Sequence, residues 1–210
     1  MLTLAHVQQA LQLPDFDGLR AQLSMSPAGR ERMTPDRDNP PRSSAVLVLV
    51  YPRQQGRLHL LLTRRTDHLR GHSGQISFPG GRRDHDDESL EHTALREACE
   101  EVGICDRTRI ILLGHLTRLW IPPSNFSVQP IVASLLTEPD LTPSPDEVAQ
   151  IVHMPLEHLF DDHAKKHTQM HLHDRTFDVP YYDVDGHIVW GATAAMLSEL
   201  ECRLRAVLNH

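Results

Sequence analysis

The sequence predicts an α/β or α+β protein built on a mixed β-sheet with flanking helices. Three observations carry this. Short runs rich in Val, Leu and Ile, bounded by Gly, Pro, Asn or Asp, recur along the chain and outnumber its helical stretches. Strand and helix patterns alternate, which favours a sheet covered by helices. The 210 residues suffice for one domain with elaborations and a full hydrophobic core.

Residues 1–43 open with a short helical pattern (Val7, Leu11, Leu13, then Leu19 and Leu23) and end in a proline- and charge-rich stretch at 30–42. They read as a helical and extended arm that packs on a core domain spanning 44–210. Residues 45–51 and 58–63 are apolar, with Gly56 between them, as in two paired strands. Residues 71–81 are glycine-rich and close on Phe78-Pro79-Gly80-Gly81, a strand entering a tight turn. Residues 89–102 have helical periodicity, with Asp87 or Ser89 as N-cap and Gly103 as the stop. Strands are expected over 109–116, 129–136 and 147–153, with a short helix from Pro155. Asp185-Gly186 between 181–184 and 187–190 is a hairpin signal. A last helix is expected over about 193–207.

Hydrophobic residues make up 40% and charged residues 23%, as in an ordinary soluble globular protein. The net charge of −7 argues against a nucleic-acid binder, which needs a basic face to neutralise phosphates. A phosphate ligand would therefore require bound metal or a few placed arginines against the global field. No signal-peptide pattern opens the chain, and its longest apolar run, 45–51, is too short to cross a bilayer. A cytoplasmic protein with no membrane partner is expected. Cys99, Cys105 and Cys202 lack metal-ligand spacing and read as free thiols in a reducing compartment.

The predicted helix over 89–102 carries the chemistry. At roughly 100° per residue, Leu90, Ala94, Leu95, Ala98, Cys99 and Val102 fall on one half, suited to packing on a sheet. Glu97, Glu100 and Glu101 share a narrower adjoining arc. Like-charge pairs at this spacing each cost roughly 0.2–0.5 kcal/mol, so either solvent screens the row or a cation occupies it. Carboxylate oxygens are hard ligands that suit Mg²⁺ or Mn²⁺ better than Zn²⁺.

Residues around the row resolve these alternatives. Seven residues separate Glu88 from Arg96-Glu97, and Glu100-Glu101 and Gly103-Ile104 follow. This arrangement resembles the Nudix box, in which a glycine and a glutamate precede Arg-Glu, Glu-Glu and Gly plus an aliphatic residue. Six residues separate Gly81 from Glu88 where the family has five, so Arg82 occupies the strict glycine position. The resemblance implies an α/β/α sandwich and hydrolysis of a diphosphate with Mg²⁺ or Mn²⁺. It implies Glu97 and Glu101 as the principal ligands, Glu100 as a ligand directly or through water, and Glu97 or Glu100 as base towards the attacking water. Arg96 would orient Glu97 or pair with Glu88, and Gly80 and Gly81 would offer backbone groups to metal and phosphate.

A second motif lies upstream: Leu61-Leu62-Thr63, Arg65, Arg70, Gly74 and Phe78-Pro79-Gly80-Gly81. It is similar to the pattern of the coenzyme A pyrophosphatase subgroup, with Thr66 where Ser or Ala is usual. Pro123-Ser124-Asn125-Phe126-x-Val128-x-Pro130 and Trp190-Gly191-Ala192-Thr193 extend the likeness. It implies a small-molecule substrate, CoA or a CoA thioester, cleaved to 3′,5′-ADP and (acyl-)4′-phosphopantetheine. Arg65 and Arg70 would meet the phosphates. Ser124, Asn125 and Phe126 would line the nucleotide or pantetheine pocket, or else form an ordinary turn with Phe126 in the core. Nudix hydrolysis of ADP-ribose or other nucleoside diphosphate derivatives, and a Nudix-fold binding module without turnover, are the alternatives. The chain could also form a homodimer.

Six histidines (His153, His158, His163, His167, His171 and His173) crowd one region, where His163 and His167 could share a helical face. A zinc site there is conceivable, but no cysteine or acidic residue has matching spacing.

Overall fold

The computed structural model describes residues 2–68, 73–172 and 175–208. In chain order, helices α1 (Leu4–Leu11) and α2 (Gly18–Leu23) precede strands β1 (Arg42–Arg53), β2 (Arg57–Arg65), β3 (Ile76–Ser77) and β4 (Gly80–Arg82). Helix α3 (Leu90–Val102) leads to β5 (Ile111–His115), β6 (Leu119–Ile121), β7 (Phe126–Ser134) and β8 (Val148–Pro155). Strands β9 (Lys165–Leu172), β10 (Arg175–Val184) and β11 (His187–Trp190) run into α4 (Gly191–Leu208).

The central sheet is mixed. Its order is β3-β2-β1-β7-β5, with β4 on β1, β6 on β7 and β8 on β2. Strands β1 and β7 are parallel, and the other pairs are antiparallel. A second sheet runs β11-β10-β9. The pleat of β1 divides the core in two. Ala45, Leu47, Leu49 and Tyr51 pack with Ala94, Ala98 and Val102 of α3. Val48 and Val50 join Leu60, Leu62 and the α4 residues Leu197, Leu200 and Leu204 on the other face. Helices thus cover both faces of the sheet, giving the α/β/α sandwich.

The α3 boundaries follow from its sequence. Ser89 caps the helix by accepting from the His92 N–H at 3.1 Å. Gly103 ends it in the left-handed region at φ 79°, where a side chain would be strained. Ala94 and Ala98 are fully buried, and their small side chains let the helix axis approach β1 closely. A larger residue at either position would overpack this layer, typically costing about 1–3 kcal/mol.

The arm packs on α4 through Val7, Ala10 and Met25, whereas Leu19 and Leu23 are exposed. Its polar anchor is Glu199, a fully buried α4 carboxylate. Glu199 accepts from Gln22 Nε2 at 2.8 Å, Thr117 N at 3.0 Å, Thr117 Oγ1 at 2.9 Å and Arg203 Nε at 2.9 Å. Every partner is needed here, because an unpaired buried charge costs several kcal/mol.

Two expectations are corrected. Cys99 and Cys105 are joined in a disulfide, leaving Cys202 as the free thiol. The turn at Gly103 carries the chain back along the helix end, which spacing along the sequence does not reveal. His163 and His167 share no helical face, since His163 lies in a 3₁₀ turn and His167 in β9. His158 Nε2 meets the Asp183 carbonyl oxygen at 2.7 Å, and His167 meets Asp178 at 2.8 Å. His153 contacts the Tyr51 hydroxyl, and no metal-holding group forms among the described residues. His173 lies outside those residues.

Candidate active site

Helix α3 directs Glu97 and Glu101 towards β4, where Gly81 leaves room for Glu97 and Gly80 lets the strand lie close on β1. A side chain at Gly81 would overlap the Glu97 carboxylate, and one at Gly80 would overlap the β1 backbone at Ala45 and Val46. Glu101 is 2% exposed, and its Oε2 has no hydrogen-bond partner among the described residues. Arg65, at the end of β2, brings Nη1 to 3.7 Å from Glu101 Oε1. Glu97 of α3, Arg65 of β2 and the glycines of β4 are therefore assembled around a buried acid by three elements.

Burial dominates the electrostatics. It pushes the Glu101 carboxyl up to about 8, against the opposing pull of Arg65 and the nearby Gly80 backbone N–H. The charges of Glu147 and Glu97 push it further in the same direction. Glu97 is also raised, chiefly by burial, with Arg96 opposing. Such a pair holds negative charge at a cost that a cation would relieve.

Arg96 organises the row. Its guanidinium meets Glu97 Oε1 at 2.9 Å, Glu100 Oε2 at 2.9 Å and the Arg82 carbonyl at 3.1 Å. Of its two expected roles, the contact with Glu97 forms, while pairing with Glu88 gives way to pairing with Asp87, at 3.0 and 3.1 Å. Asp87 is buried, and also accepts from the Thr93 hydroxyl at 2.9 Å and the Asp84 N–H at 2.9 Å. The Arg96 hydrogen bonds hold its carboxyl well below the usual carboxylate range. Glu88 is exposed, with its carbonyl receiving Arg83 at 3.3 Å. The loop turns the first of two adjacent acids inward and the second outward.

The remaining sequence candidates separate. Glu100 is drawn onto Arg96, and its side chain is 55% exposed. Arg70 lies outside the described residues. Ser124 and Asn125 lie in the turn between β6 and β7, Phe126 opens β7, and all three contact the arm. The Ser124 carbonyl accepts from Arg42 at 3.0 Å, and the Arg42 guanidinium lies 4.2 Å from the Phe126 ring centroid. The Asn125 amide links Trp120 Nε1 at 3.0 Å to the Asn39 carbonyl at 3.1 Å.

Glu147 was missed by sequence reasoning. The segment before β8 docks on the end of α3, with Thr142 N to Val102 O at 3.0 Å and Ser144 N to Glu101 O at 2.8 Å. That docking sets the half-buried Glu147 against Glu97 and Glu101, whose carboxyls its charge raises. No fixed spacing links Glu147 to the helix, so only tertiary packing brings it in.

The donor set fits a hard divalent cation. Among the described residues no three acidic, His or Cys side chains form a ready cage. Mg²⁺ commonly takes only one or two carboxylates, completing its shell with water and substrate phosphates. The orphaned Glu101 oxygen and the neighbouring Glu97 carboxylate supply that pair.

Comparison with known proteins agrees with this architecture. A NUDIX domain model matches residues 41–174. The chain is 36% identical over 159 residues to an uncharacterized Nudix hydrolase, NudL, of Yersinia pestis (strain Pestoides F), covering 76% of this chain and 78% of that protein. A protein of the same description from Yersinia pseudotuberculosis (serotype O:1b, strain IP 31758) has the same identity and coverage. A solved Nudix hydrolase from M. smegmatis, RenU, superposes with TM-score 0.53 at 18% identity, covering 80% of this chain and 86% of its own. A MutT protein from Methanosarcina mazei Go1 gives TM-score 0.50 at 20% identity, covering 81% and 99%. The two structures share the fold. No helix among the described residues is long and apolar enough to cross a membrane.

Proposed function

The chain belongs to the Nudix family, and from that premise we propose that this Nudix hydrolase cleaves the diphosphate of coenzyme A or a CoA thioester. The carrying observation is the buried Glu101 carboxylate with one unpartnered oxygen, set beside Glu97 over the Gly80–Gly81 platform. Nudix hydrolases generally use divalent metals such as Mg²⁺ or Mn²⁺. Glu97 and Glu101 would hold the ion here. When bound, it supplies charge neutralisation for the two phosphates and Lewis acidity.

The chain's own groups do the rest. Arg96 fixes the Glu97 carboxylate, and Asp87 fixes Arg96. Glu97 faces the glycine platform and is the better placed acceptor for the proton of the attacking water, because Glu100 is held away by Arg96. Arg65 offers its guanidinium to phosphoryl oxygens at the mouth of the site. Water attacks phosphorus, the bridging P–O bond breaks, and 3′,5′-ADP and (acyl-)4′-phosphopantetheine leave.

Support for CoA over other diphosphates comes from the upstream motif. Leu61-Leu62-Thr63 lies in β2, which delivers Arg65 to Glu101, and Phe78-Pro79 seats the two glycines under α3. A substrate panel of CoA, ADP-ribose, NADH and dinucleoside polyphosphates, each with Mg²⁺ or Mn²⁺, tests this reading. CoA should give the highest kcat/KM. If it is the poorest of these substrates, the CoA assignment fails; tight CoA binding without turnover would make the protein a binding module.

A further inference from the structure

An open cavity of about 400 Å³ lies at the end of β4, lined by the exposed residues Arg42, Ser43, Arg82, Arg83, Asp84 and His85. Its walls carry three guanidinium groups and one carboxylate, in a chain whose net charge is −7. The local sign is therefore reversed against the global field. Two of the arginines meet for a topological reason: β4 pairs with β1 so that Arg82 sits opposite Ser44, two residues along β1 from Arg42, and both lie on the sheet face opposite α3. Arg83 follows at the strand end, with its N–H on the Ser43 carbonyl at 3.0 Å.

Two of the three cations are fixed in place by neutral groups. Arg42 donates to the Ser124 carbonyl and lies over Phe126. Arg83 donates to the Asp87 carbonyl at 2.9 Å and to that of Glu88 at 3.3 Å. Carbonyls and an aromatic face orient a guanidinium but do not neutralise it. The Arg82 side chain forms no hydrogen bond or ion pair among the described residues, although its carbonyl receives Arg96. His85 is engaged with Asp86 at 2.6 Å. Oriented, unneutralised guanidinium groups around one cavity favour a phosphate dianion.

The cavity is coupled to the proposed metal site through a single strand. Arg82 follows Gly81, which abuts Glu97, and Arg96 bridges the Arg82 carbonyl to the Glu97 carboxylate. Gly81 faces Glu97 on the α3 side of β4 and Arg82 faces the other side, so a ligand serving both places must round the end of the strand.

We propose that Arg42, Arg82 and Arg83 form an anion subsite for a phosphomonoester of the substrate, separate from the diphosphate that is cleaved. This rests on the CoA reading above and adds a specificity determinant to it: the enzyme selects diphosphates that carry an additional terminal phosphate. Arg82 is the contact least used by the fold, so its substitution isolates the effect.

The test pairs ligands that differ only in this phosphate. In calorimetric titrations with Mg²⁺ present, 3′,5′-ADP should bind roughly tenfold or more tightly than 5′-AMP. Arg82→Ala should bring the two to near parity, and Arg82→Lys should restore part of the difference. The same pattern should appear as a KM difference between CoA and 3′-dephospho-CoA, which Arg82→Ala should largely remove. Equal affinities in the unmodified protein, including no detectable binding of either nucleotide, overturn the subsite. A preference that survives Arg82→Ala overturns its placement in this cavity. The titration needs no turnover, so a protein that discriminates the nucleotides yet hydrolyses neither CoA nor dephospho-CoA would sink the proposed reaction and leave the subsite standing.

Discussion

Replacing Glu101 by Gln removes one negative charge and leaves the shape of the side chain nearly unchanged. The carboxylate is 2% exposed, has a single ion-pair contact at 3.7 Å, and leaves one oxygen unpartnered among the described residues. Its carboxyl is pushed from the ordinary glutamate value of 4.5 to about 8, chiefly by burial. Between those values the unfolded chain has released the proton and the folded chain has kept it. The protonated carboxyl's stability is therefore complete below about pH 4.5 and is lost as pH rises through about 8. Over that interval the loss is on the order of 4–5 kcal/mol in metal-free protein. Glutamine cannot ionise, so Glu101→Gln should be more stable than the wild type at about pH 8.5 with chelator, by a few kcal/mol. Added Mg²⁺ or Mn²⁺ should stabilise the wild type by mass action and leave the variant nearly unmoved. Turnover with Mg²⁺ should fall at least about 100-fold. Urea denaturation across pH 5–9, with and without metal, reads the first two effects, and product release reads the third. A variant less stable than the wild type in chelator at high pH, or one turning over at the wild-type rate, would refute the reasoning.

Other perturbations have separate outcomes. Asp87→Asn should lower stability by about 2–4 kcal/mol in urea denaturation near neutral pH, because Arg96 loses its buried counter-charge. The wild-type advantage should vanish as pH falls below the ordinary aspartate range, since the folded carboxyl is held below it. Gly81→Ala should fold normally by circular dichroism but lose about tenfold or more in Mn²⁺ affinity and turnover, because the new methyl overlaps the Glu97 carboxylate. Thiol titration of the denatured, non-reduced protein should find one reactive cysteine, Cys202; three would contradict the Cys99–Cys105 bond.

What the sequence made legible was local. The α3 boundaries follow from a capping serine and a terminal glycine, and its acid row from helical spacing alone. Strands β1 and β2 show as apolar runs because both faces of the sheet are covered. The β10–β11 hairpin follows from Asp185-Gly186. What escaped depended on tertiary contacts. Strand β9, largely Lys, His, Thr and Gln, has no apolar alternation and owes its extended state to pairing with β10. Glu147 reaches the site only because the segment before β8 docks on the end of α3. The choice of Asp87 over Glu88 was decided by a loop turn one residue long, and the Cys99–Cys105 bond by the reversal at Gly103. Ser124, Asn125 and Phe126, chosen on resemblance, also hold the arm, a contact that spacing along the chain does not reveal.

Anomalous diffraction from crystals soaked in Mn²⁺ tests the metal site most directly. A peak bridging the carboxylates of Glu97 and Glu101 at about 2.0–2.3 Å is expected, together with its loss in Glu101→Gln crystals. Strong manganese peaks elsewhere, with none in reach of either glutamate, would contradict it.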